Sequence, residues 1–341
     1  MNIKKIIHLI PCDEIGGVET GAKLAQEEFE NDISYKIQYI YKSNDNIISR
    51  FINFIKTTHS LFKEIKSSEN YIILSSTWMS HVIAFILNIL LKNMRWISFL
   101  HNTKYTNIIS HLICTKLTRL ADKQVFDSYS SAKAYNYNPI NHNRIINYFF
   151  KKYDLQKFDI KNWSNRKYDF ITVATNSKQK GFQDIEKFLT EISKVYPSRL
   201  RILIISDKLK NVVDFDLLKK QFNSICDIDY KLNIPNDDVL NCMIDSKIYF
   251  CLSNYEGFAA TIVESLLSGC FVVTTNVGEQ KYYLHPDRKI TLNNKDDYKL
   301  DFNYINQNGP SIENFEIAKK FLYQNINSYC NSLKRVINEN K

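Results

Sequence analysis

Two glutamates separated by seven residues have the types and surroundings for binding chemistry. Glu256 lies in segment 253–258 (Ser-Asn-Tyr-Glu-Gly-Phe), which directly follows the apolar run Ile248–Leu252. Glu264 lies within Ala260–Leu267, a run of small and apolar residues closed by Gly269. The first run predicts a buried strand and the second a short helix with a C-terminal glycine cap. We therefore expect Glu256 on a loop at the carboxyl end of a strand and Glu264 on the helix that follows.

The start of this predicted helix has the chemistry to bind an anion. The first backbone N–H groups of a helix have no partner within the helix, and here they belong to residues 258–261. Such groups hold phosphate without a metal ion. A nucleoside diphosphate fits this description.

The elements that must position these residues alternate between strand and helix in both halves of the chain. The first half opens with a predicted strand at 5–11, a loop at 13–17 and a helix at about 19–29, and the pattern restarts with a strand at 169–175. This alternation predicts an α/β protein with two doubly wound, Rossmann-like domains whose strand ends face an interdomain cleft. We expect domains at 1–150 and 151–310, and a C-terminal helix within 311–341 that packs back on the first domain.

Residues 237–279 resemble the retaining glycosyltransferases of the GT-B fold that carry the EX7E motif, glycosyltransferase family four in particular. The upstream helix, the strand, the Ser-x-x-Glu-Gly-Phe loop, the small-residue helix and the final Gly278-Glu279 follow the family's order and spacing. The resemblance implies that Glu256 contacts or positions the transferred sugar and that Glu264 holds the ribose hydroxyls. It implies that the donor's phosphates and sugar are held by the backbone of Gly257, Phe258, Ala259, Ala260 and Thr261.

Three weaker matches fall where this resemblance requires them. Gly16 and Gly17 resemble the glycine loop of the family's first domain, whose backbone approaches the donor; the alternative is a plain turn. His101, after the run 95–100, matches a histidine that reaches the donor sugar; the alternative is a structural histidine. Lys180, before Gly181, matches a lysine that neutralises the departing diphosphate; the alternative is a surface lysine.

The sequence departs from the family at Thr175, where relatives usually carry an arginine. One cation that would bind phosphate is therefore missing. Either Lys178 or Lys180 replaces it, or the protein is slower or inactive. The match at the domain junction, Ile146-Asn147-Tyr148, is also loose.

Composition limits the remaining possibilities. With 44% hydrophobic and 24% charged residues the chain is a folded globular protein, and its N-terminus predicts no export signal. Seven cysteines without CxxC spacing indicate reduced thiols in the cytoplasm. The net charge of +9 comes partly from basic residues between 42 and 119. This bias is either an ordinary solvated surface or a patch that faces an anionic membrane.

These observations and the resemblance together predict a metal-independent, retaining glycosyltransferase. It would move a sugar from a nucleoside diphosphate sugar to an acceptor hydroxyl, without a cofactor. The family implies a role in bacterial surface polysaccharide synthesis, O-antigen (lipopolysaccharide) or capsule, on a glycan or lipid-linked acceptor at the inner face of the cell membrane. The missing arginine keeps an alternative open, a non-catalytic subunit that binds a nucleotide sugar or supports a partner. No nucleic-acid-binding module is recognised, so nucleic acid is not expected as a partner.

Overall fold

The computed structural model describes residues 5–13, 17–29, 34–42, 44–67, 70–104, 107–137, 144–146, 163–196, 198–279, 289–292, 305 and 329–338. The chain divides into a first unit, residues 1–151 with 326–341, and a second unit, residues 152–325. Much of the expected C-terminal helix, residues 311–328 and 339–341, lies outside the described residues, as does Gly16.

The first unit is built on five parallel strands in the order β2-β1-β3-β4-β5. Their runs of isoleucine, leucine and phenylalanine are buried, which is typical of a parallel sheet covered on both faces. The strands are β1 (Lys5–Ile10), β2 (Ser34–Tyr39), β3 (Tyr71–Ser76), β4 (Met94–Leu100) and β5 (Lys123–Phe126).

Helices cover both faces of this first sheet. They are α1 (Gly17–Phe29), α2 (Ile47–Lys66), α3 (Trp78–Leu90), α4 (Ile108–Lys116), α5 (Tyr129–Ala134) and, at the C-terminus, α10 (Tyr329–Asn338). On one face α1 and α10 pack over residues such as Ile6 and Leu74. On the other face α2 and α3 pack over residues such as Ile7 and Trp96. Alternating residues of one strand thus fill two separate cores, as expected for a doubly wound sheet.

Two basic side chains attach α10 to the first sheet. Arg95 of β4 donates from Nη1 to the Ile337 carbonyl at 2.7 Å, and buried Lys123 of β5 donates from Nζ to the Val336 carbonyl at 2.8 Å. These carbonyls belong to the last turn of the helix, where unpaired acceptors and the negative dipole end favour cations. Helix α10 is therefore part of the first unit.

The second unit has a six-stranded parallel sheet in the order β11-β10-β9-β6-β7-β8. Its strands are β6 (Tyr168–Val173), β7 (Leu200–Ser206), β8 (Cys226–Leu232), β9 (Ser246–Cys251), β10 (Phe271–Thr275) and β11 (Lys289–Leu292). The helices between them are α6 (Ile185–Val195), α7 (Phe215–Phe222), α8 (Asn236–Ile244) and α9 (Ala260–Leu267). One core of this unit is rich in phenylalanine and includes Phe170, Phe188 and Phe250.

The prediction of two doubly wound α/β units is confirmed. Helix α1 begins at Gly17, two residues before the expected start, with Glu19 in its first turn, where the helix dipole favours a carboxylate. Strand β11 was not predicted, because its four residues are too few for a clear apolar pattern. None of the helices within the described ranges is long and apolar enough to cross a membrane.

Candidate active site

The loops that follow β6 and β9 are joined to each other. These two strands are neighbours in the second sheet, so their carboxyl ends meet at one edge. The Asn254 backbone N–H donates to the Gln179 carbonyl at 2.8 Å, and the Asn254 side-chain amide donates to the Lys178 carbonyl. The loop with the predicted lysine and the loop with the first predicted glutamate therefore form one structural unit.

Gly181 allows the two loops to approach this closely. Its φ of +77° lies in the left-handed region, and a Cβ atom at this position would lie 1.9 Å from the Leu252 carbonyl oxygen. No side chain fits there without moving backbone. The glycine after Lys180 is thus required by the packing of the two loops. The same packing fixes the position of the Lys180 backbone.

Lys180 and Glu256 form a short ion pair at this junction. Lys180 Nζ lies 2.7 and 2.9 Å from the two carboxylate oxygens of Glu256, and the Ser253 hydroxyl donates to one of them at 2.6 Å. The glutamate side chain is 8% exposed and the lysine side chain 26% exposed. Burial lowers the pKa of Lys180, but the charge of Glu256 and the hydrogen bond to it outweigh burial and raise the pKa overall. Lys180 is therefore a firmly held cation with access to solvent.

Glu264 is buried on α9, and Tyr249 lies within the electrostatic influence of both glutamates. The Tyr249 hydroxyl donates to Thr261 Oγ1 at 2.7 Å. Its pKa is raised well above the ordinary value by burial first, then by Cys251, with smaller contributions from Glu256 and Glu264. Tyr249 stays protonated, and its hydroxyl links β9 to the first turn of α9. Both glutamates thus contribute to the electrostatic environment of one buried tyrosine.

The start of α9 offers unpaired backbone donors. The N–H groups of Ala259, Ala260 and Thr261 have no hydrogen-bond partner among the described residues, and the Gly257 carbonyl accepts instead from Glu279. Ala259 precedes the helix in the left-handed conformation, φ 57° and ψ 62°, which costs a residue other than glycine about 1–2 kcal/mol. Strain of this kind is concentrated at ligand sites, and here it turns the chain so that the donors stay free.

The far end of α9 is fixed by two features. Gly269 closes the helix with φ +70°, as the sequence predicted, and the Gly269 N–H donates to the Leu266 carbonyl at 2.9 Å. The buried guanidinium of Arg166 donates to the Ser268 carbonyl at 3.0 Å and also to the Ser246 carbonyl at the start of β9. Because the helix cannot slide along the sheet, the position of Glu264 relative to Glu256 is set.

Tyr255 contributes a group that sequence reasoning missed. Its hydroxyl is buried and has no hydrogen-bond partner among the described residues. Burial raises its pKa, with opposing contributions from Lys180, which lowers it, and Glu256, which raises it. An unsatisfied hydroxyl next to the ion pair costs stability and can be satisfied by a ligand. No spacing rule indicates such a group, because an unsatisfied hydroxyl is a property of the packing.

His101, in the first unit, belongs to a chain of hydrogen-bonded side chains. Its Nε2 and the Nε2 of His8 each lie 2.8 Å from the Ser76 hydroxyl, and His8 Nδ1 lies 2.6 Å from the Tyr35 hydroxyl. Burial lowers the pKa of both histidines to about 3, so both rings are neutral at pH 7. A single hydroxyl hydrogen can serve only one ring, so at least one ring donates its own N–H to Ser76. Ser76, His8 and Tyr35 were not singled out from the sequence.

The remaining predicted residues have different surroundings. Gly17 is the first residue of α1, and Gly16 lies outside the described residues. The Thr175 hydroxyl lies 3.3 Å from the Ser177 hydroxyl, and the next residue, buried Asn176, accepts from the Val212 and Val213 N–H groups. Lys178 is exposed. The segment that contains Thr175 is therefore anchored to the loop after β7.

Three or more histidine, cysteine, aspartate or glutamate side chains arranged to hold a metal ion are not found within the described ranges.

Comparisons with known proteins agree with this architecture. The family model for glycosyl transferases group 1 matches residues 155–316, which are nearly half of the chain. No curated protein matches the chain significantly.

Among solved structures, Anabaena HepE in complex with UDP and glucose is 13% identical, with a TM-score of 0.72 over 98% of this chain and 99% of that one. The lipopolysaccharide outer core galactosyltransferase WaaB is 14% identical, with a TM-score of 0.67 over 98% and 99%. Sucrose-phosphate synthase from Thermosynechococcus elongatus is 12% identical, with a TM-score of 0.69 over 98% of both chains. At these identities the likeness shows the fold, and the fold is GT-B. The family match and the fold together support a glycosyltransferase.

Proposed function

We propose that this protein is a retaining, metal-independent glycosyltransferase that uses a nucleoside diphosphate sugar as donor. The observation that carries the proposal is the arrangement at the carboxyl edge of the second sheet. There a held ammonium, two buried carboxylates and three backbone N–H groups without a partner in the described part of the chain lie on two joined loops and one helix start. The family match over residues 155–316 and the UDP complex of the HepE structure support the same assignment.

In the proposed reaction the bond between the anomeric carbon and the diphosphate oxygen breaks, and the acceptor oxygen bonds to the same face of that carbon. The acceptor's proton passes to the leaving diphosphate. Negative charge grows on the diphosphate in the transition state, so preorganised donors next to it accelerate the reaction. Lys180 and the N–H groups of residues 259–261 are assigned to the leaving group. Glu256 orients the sugar, and Glu264 holds the ribose hydroxyls.

The charges of the site also favour a second candidate. Lys180 lies 2.7 Å from a carboxylate oxygen of Glu256, so its positive charge is already partly compensated before an anionic donor binds. Thr175 adds no cation where relatives carry an arginine. A non-catalytic subunit that binds a nucleotide sugar weakly, or supports a partner enzyme, would have such a site.

A panel of UDP- and GDP-sugars with the purified full chain separates these candidates. Calorimetry measures binding, and mass spectrometry measures released nucleotide with simple glycosides and lipid-linked saccharides as acceptors. Turnover with at least one donor supports the enzyme. Binding without turnover across the panel favours a non-catalytic subunit that binds a nucleotide sugar. The absence of any binding contradicts the enzyme and favours a subunit that supports a partner.

Thr175→Arg tests the charge argument directly. If position 175 faces the diphosphate, an added guanidinium pairs with phosphate and tightens donor binding by about 1–3 kcal/mol, measured by calorimetry. Lys178→Ala is the matched control, because Lys178 is exposed and should matter little unless it replaces the missing arginine. An unchanged donor affinity in Thr175→Arg would remove position 175 from the site.

Retention, independence of a metal ion and the class of acceptor are each tested by a separate measurement. The anomeric coupling constant of the product, measured by NMR, reports retention or inversion. Activity that survives EDTA supports the metal-free mechanism, and a requirement for added manganese or magnesium contradicts it. A role in O-antigen or capsule synthesis predicts that a lipid-linked acceptor outperforms a free sugar in the same assay.

A further inference from the structure

Exposed apolar side chains are concentrated in one part of the first unit. Of the fifteen large hydrophobic residues that are exposed among those described, twelve lie between Ile47 and Leu120 and three lie in the second unit. Single exposed apolar residues are ordinary, but a concentrated set marks an interaction surface.

Two helices in this region begin with the same four residues. Asn46-Ile47-Ile48-Ser49 starts α2, and Asn107-Ile108-Ile109-Ser110 starts α4. In each, the asparagine side chain accepts from the serine N–H, at 2.8 and 2.7 Å, so both starts are rigidly capped. Both isoleucine pairs are exposed, with exposed fractions of 67–86%.

Both pairs lie at one edge of the first sheet. In a doubly wound unit each helix begins beside the carboxyl end of the strand before it, here β2 and β4. Phe51 and Ile52 follow on the same face of α2 at helical spacing and are also exposed. Helix α3, which packs against both α2 and α4, begins between them with the exposed Trp78. We call Ile47, Ile48, Phe51, Ile52, Ile108 and Ile109 the apolar edge.

The apolar surface continues from this edge along α2. A groove of about 390 Å³ between α2 and α3 is lined by apolar side chains such as Phe62 and Leu90 and by the edge of His59. Ile55 lies both on the stripe that begins at the apolar edge and in this groove. A long, one-sided apolar surface of this kind is typical of a helix that lies in the plane of a membrane interface.

The charges around this surface are basic. The described residues between 44 and 120 include nine lysines and arginines and two acidic residues, Asp45 and Glu64. Glu64 is paired with Lys5 and Lys36 at 2.6 and 3.2 Å, and Asp45 accepts from the Asn53 side chain at 2.7 Å. Lys104, before α4, Lys116, its last residue, and Arg119, after its end, are exposed. The described part of this region thus carries an excess of exposed cations over acidic groups.

We infer that the apolar edge docks on an anionic lipid bilayer, with the isoleucine pairs inserted among the headgroups and the basic residues on lipid phosphates. A second copy of the chain is a less favourable partner for the apolar edge, because a symmetric contact through this surface would bring like charges together. This inference does not depend on the proposed catalytic function. If that function also holds, docking brings the carboxyl edge of the first sheet to the surface where a lipid-linked acceptor resides.

Vesicle flotation with the full chain tests the docking. Vesicles of phosphatidylcholine with 30% phosphatidylglycerol should bind the wild-type protein, vesicles of phosphatidylcholine alone should bind it far less, and added salt should weaken binding. Ile47→Ser, Ile48→Ser, Ile108→Ser and Ile109→Ser together should lower the partition coefficient by at least about tenfold, because the buried apolar area is lost. Lys104→Gln, Lys116→Gln and Arg119→Gln together should lower it by at least about tenfold on the anionic vesicles.

The second unit supplies the matched control. Val195→Ser, Leu217→Ser and Ile225→Ser remove three exposed apolar side chains of the second unit and should leave vesicle binding unchanged. Thermal unfolding of every variant checks the fold. A tryptophan introduced by Ile48→Trp should shift to the blue on binding and be quenched by brominated lipid, whereas one introduced by Leu217→Trp should not.

Each outcome of these experiments either supports or contradicts docking on the bilayer. Loss of binding in the isoleucine variant with retention in the control supports the docking surface. Absence of wild-type binding, equal binding to both vesicle types, or equal loss in the control variant overturns it. A wild-type dimer in sedimentation velocity that dissociates in the isoleucine variant, without vesicle binding, assigns the surface to a second copy and also overturns it.

Discussion

Replacement of Lys180 by methionine removes the cation that faces a nearly buried carboxylate. Two contacts to Glu256, at 2.7 and 2.9 Å, would be lost from a side chain that is 8% exposed. Removal of one partner from a fully buried pair costs about 3–5 kcal/mol. Because the lysine side chain is 26% exposed and water can reach the site, we expect a lower value, about 2–3 kcal/mol of the free energy of unfolding.

The opposite replacement should cost less. In Glu256→Gln the Lys180 ammonium keeps its access to water, and the amide oxygen can still accept from the Ser253 hydroxyl, so we expect a loss of about 1 kcal/mol. The double variant should recover part of the Lys180→Met loss, because no carboxylate is left unpaired. A coupling energy of about 1–2 kcal/mol between the two positions follows.

Urea unfolding followed by circular dichroism measures these values. Lys194→Met is the control, because Lys194 contacts Glu191 at the same 2.7 Å but both side chains are exposed. An exposed pair contributes little, so this variant should change stability by less than about 0.5 kcal/mol. If Lys180→Met is as mild as Lys194→Met, or if the two site replacements are simply additive, the pair does not hold the loops and the reasoning is wrong.

Further predictions concern the surrounding groups. Glu264→Ala should weaken donor binding by about 1.5–3 kcal/mol in calorimetry, and an unchanged dissociation constant would remove Glu264 from the site. Tyr255→Phe should stabilise the free protein slightly, because an unsatisfied hydroxyl is removed, yet weaken donor binding if the donor satisfies that hydroxyl; equal affinity would exclude such a contact. His81 lies buried on α3, with its Nδ1 2.8 Å from the Ser75 hydroxyl. Its pKa is lowered to about 3, first by burial and then by His101, so between pH 3 and 6.5 the unfolded chain binds the extra proton. The free energy of unfolding should therefore fall as the pH drops below 6.5, by up to about 1.4 kcal/mol per pH unit for such a group. Urea unfolding at pH 7.5 and at pH 5 should show a smaller fall for His81→Phe than for the wild-type protein.

The fold followed from the sequence because the signals that specify it are local. Alternating apolar strands and amphipathic helices predict parallel sheets, and each buried strand contains a run that periodicity detects. The same holds for the loop of Glu256, since an apolar strand before it and a glycine-capped helix after it fix its place. Strand β11 shows the limit, because its four residues carry too little pattern to be recognised.

The contacts that bring the site residues together could not be predicted from local sequence patterns. Lys180 and Glu256 are 76 residues apart in the chain, and they meet because β6 and β9 are adjacent in the sheet. That adjacency is set by the strand order, which hydrophobic periodicity does not contain. The partners of His101 have the same origin. Ser76 reaches both His8 and His101 because β3 lies between β1 and β4.

The pairing of Lys180 with Glu256 changes how variants at either position must be interpreted. From the sequence they have separate tasks, one on the leaving diphosphate and one on the sugar. In the structure each holds the other, so a turnover loss in Lys180→Ala contains the displacement of Glu256 as well as the lost charge on the diphosphate. The double-variant cycle separates the two contributions when it is applied to turnover as well as to stability. If Lys180 acts on the diphosphate, Lys180→Ala should still lower turnover in a Glu256→Gln background, because the charge that develops on the leaving group remains uncompensated. If it acts through Glu256 alone, the second replacement should have no further effect.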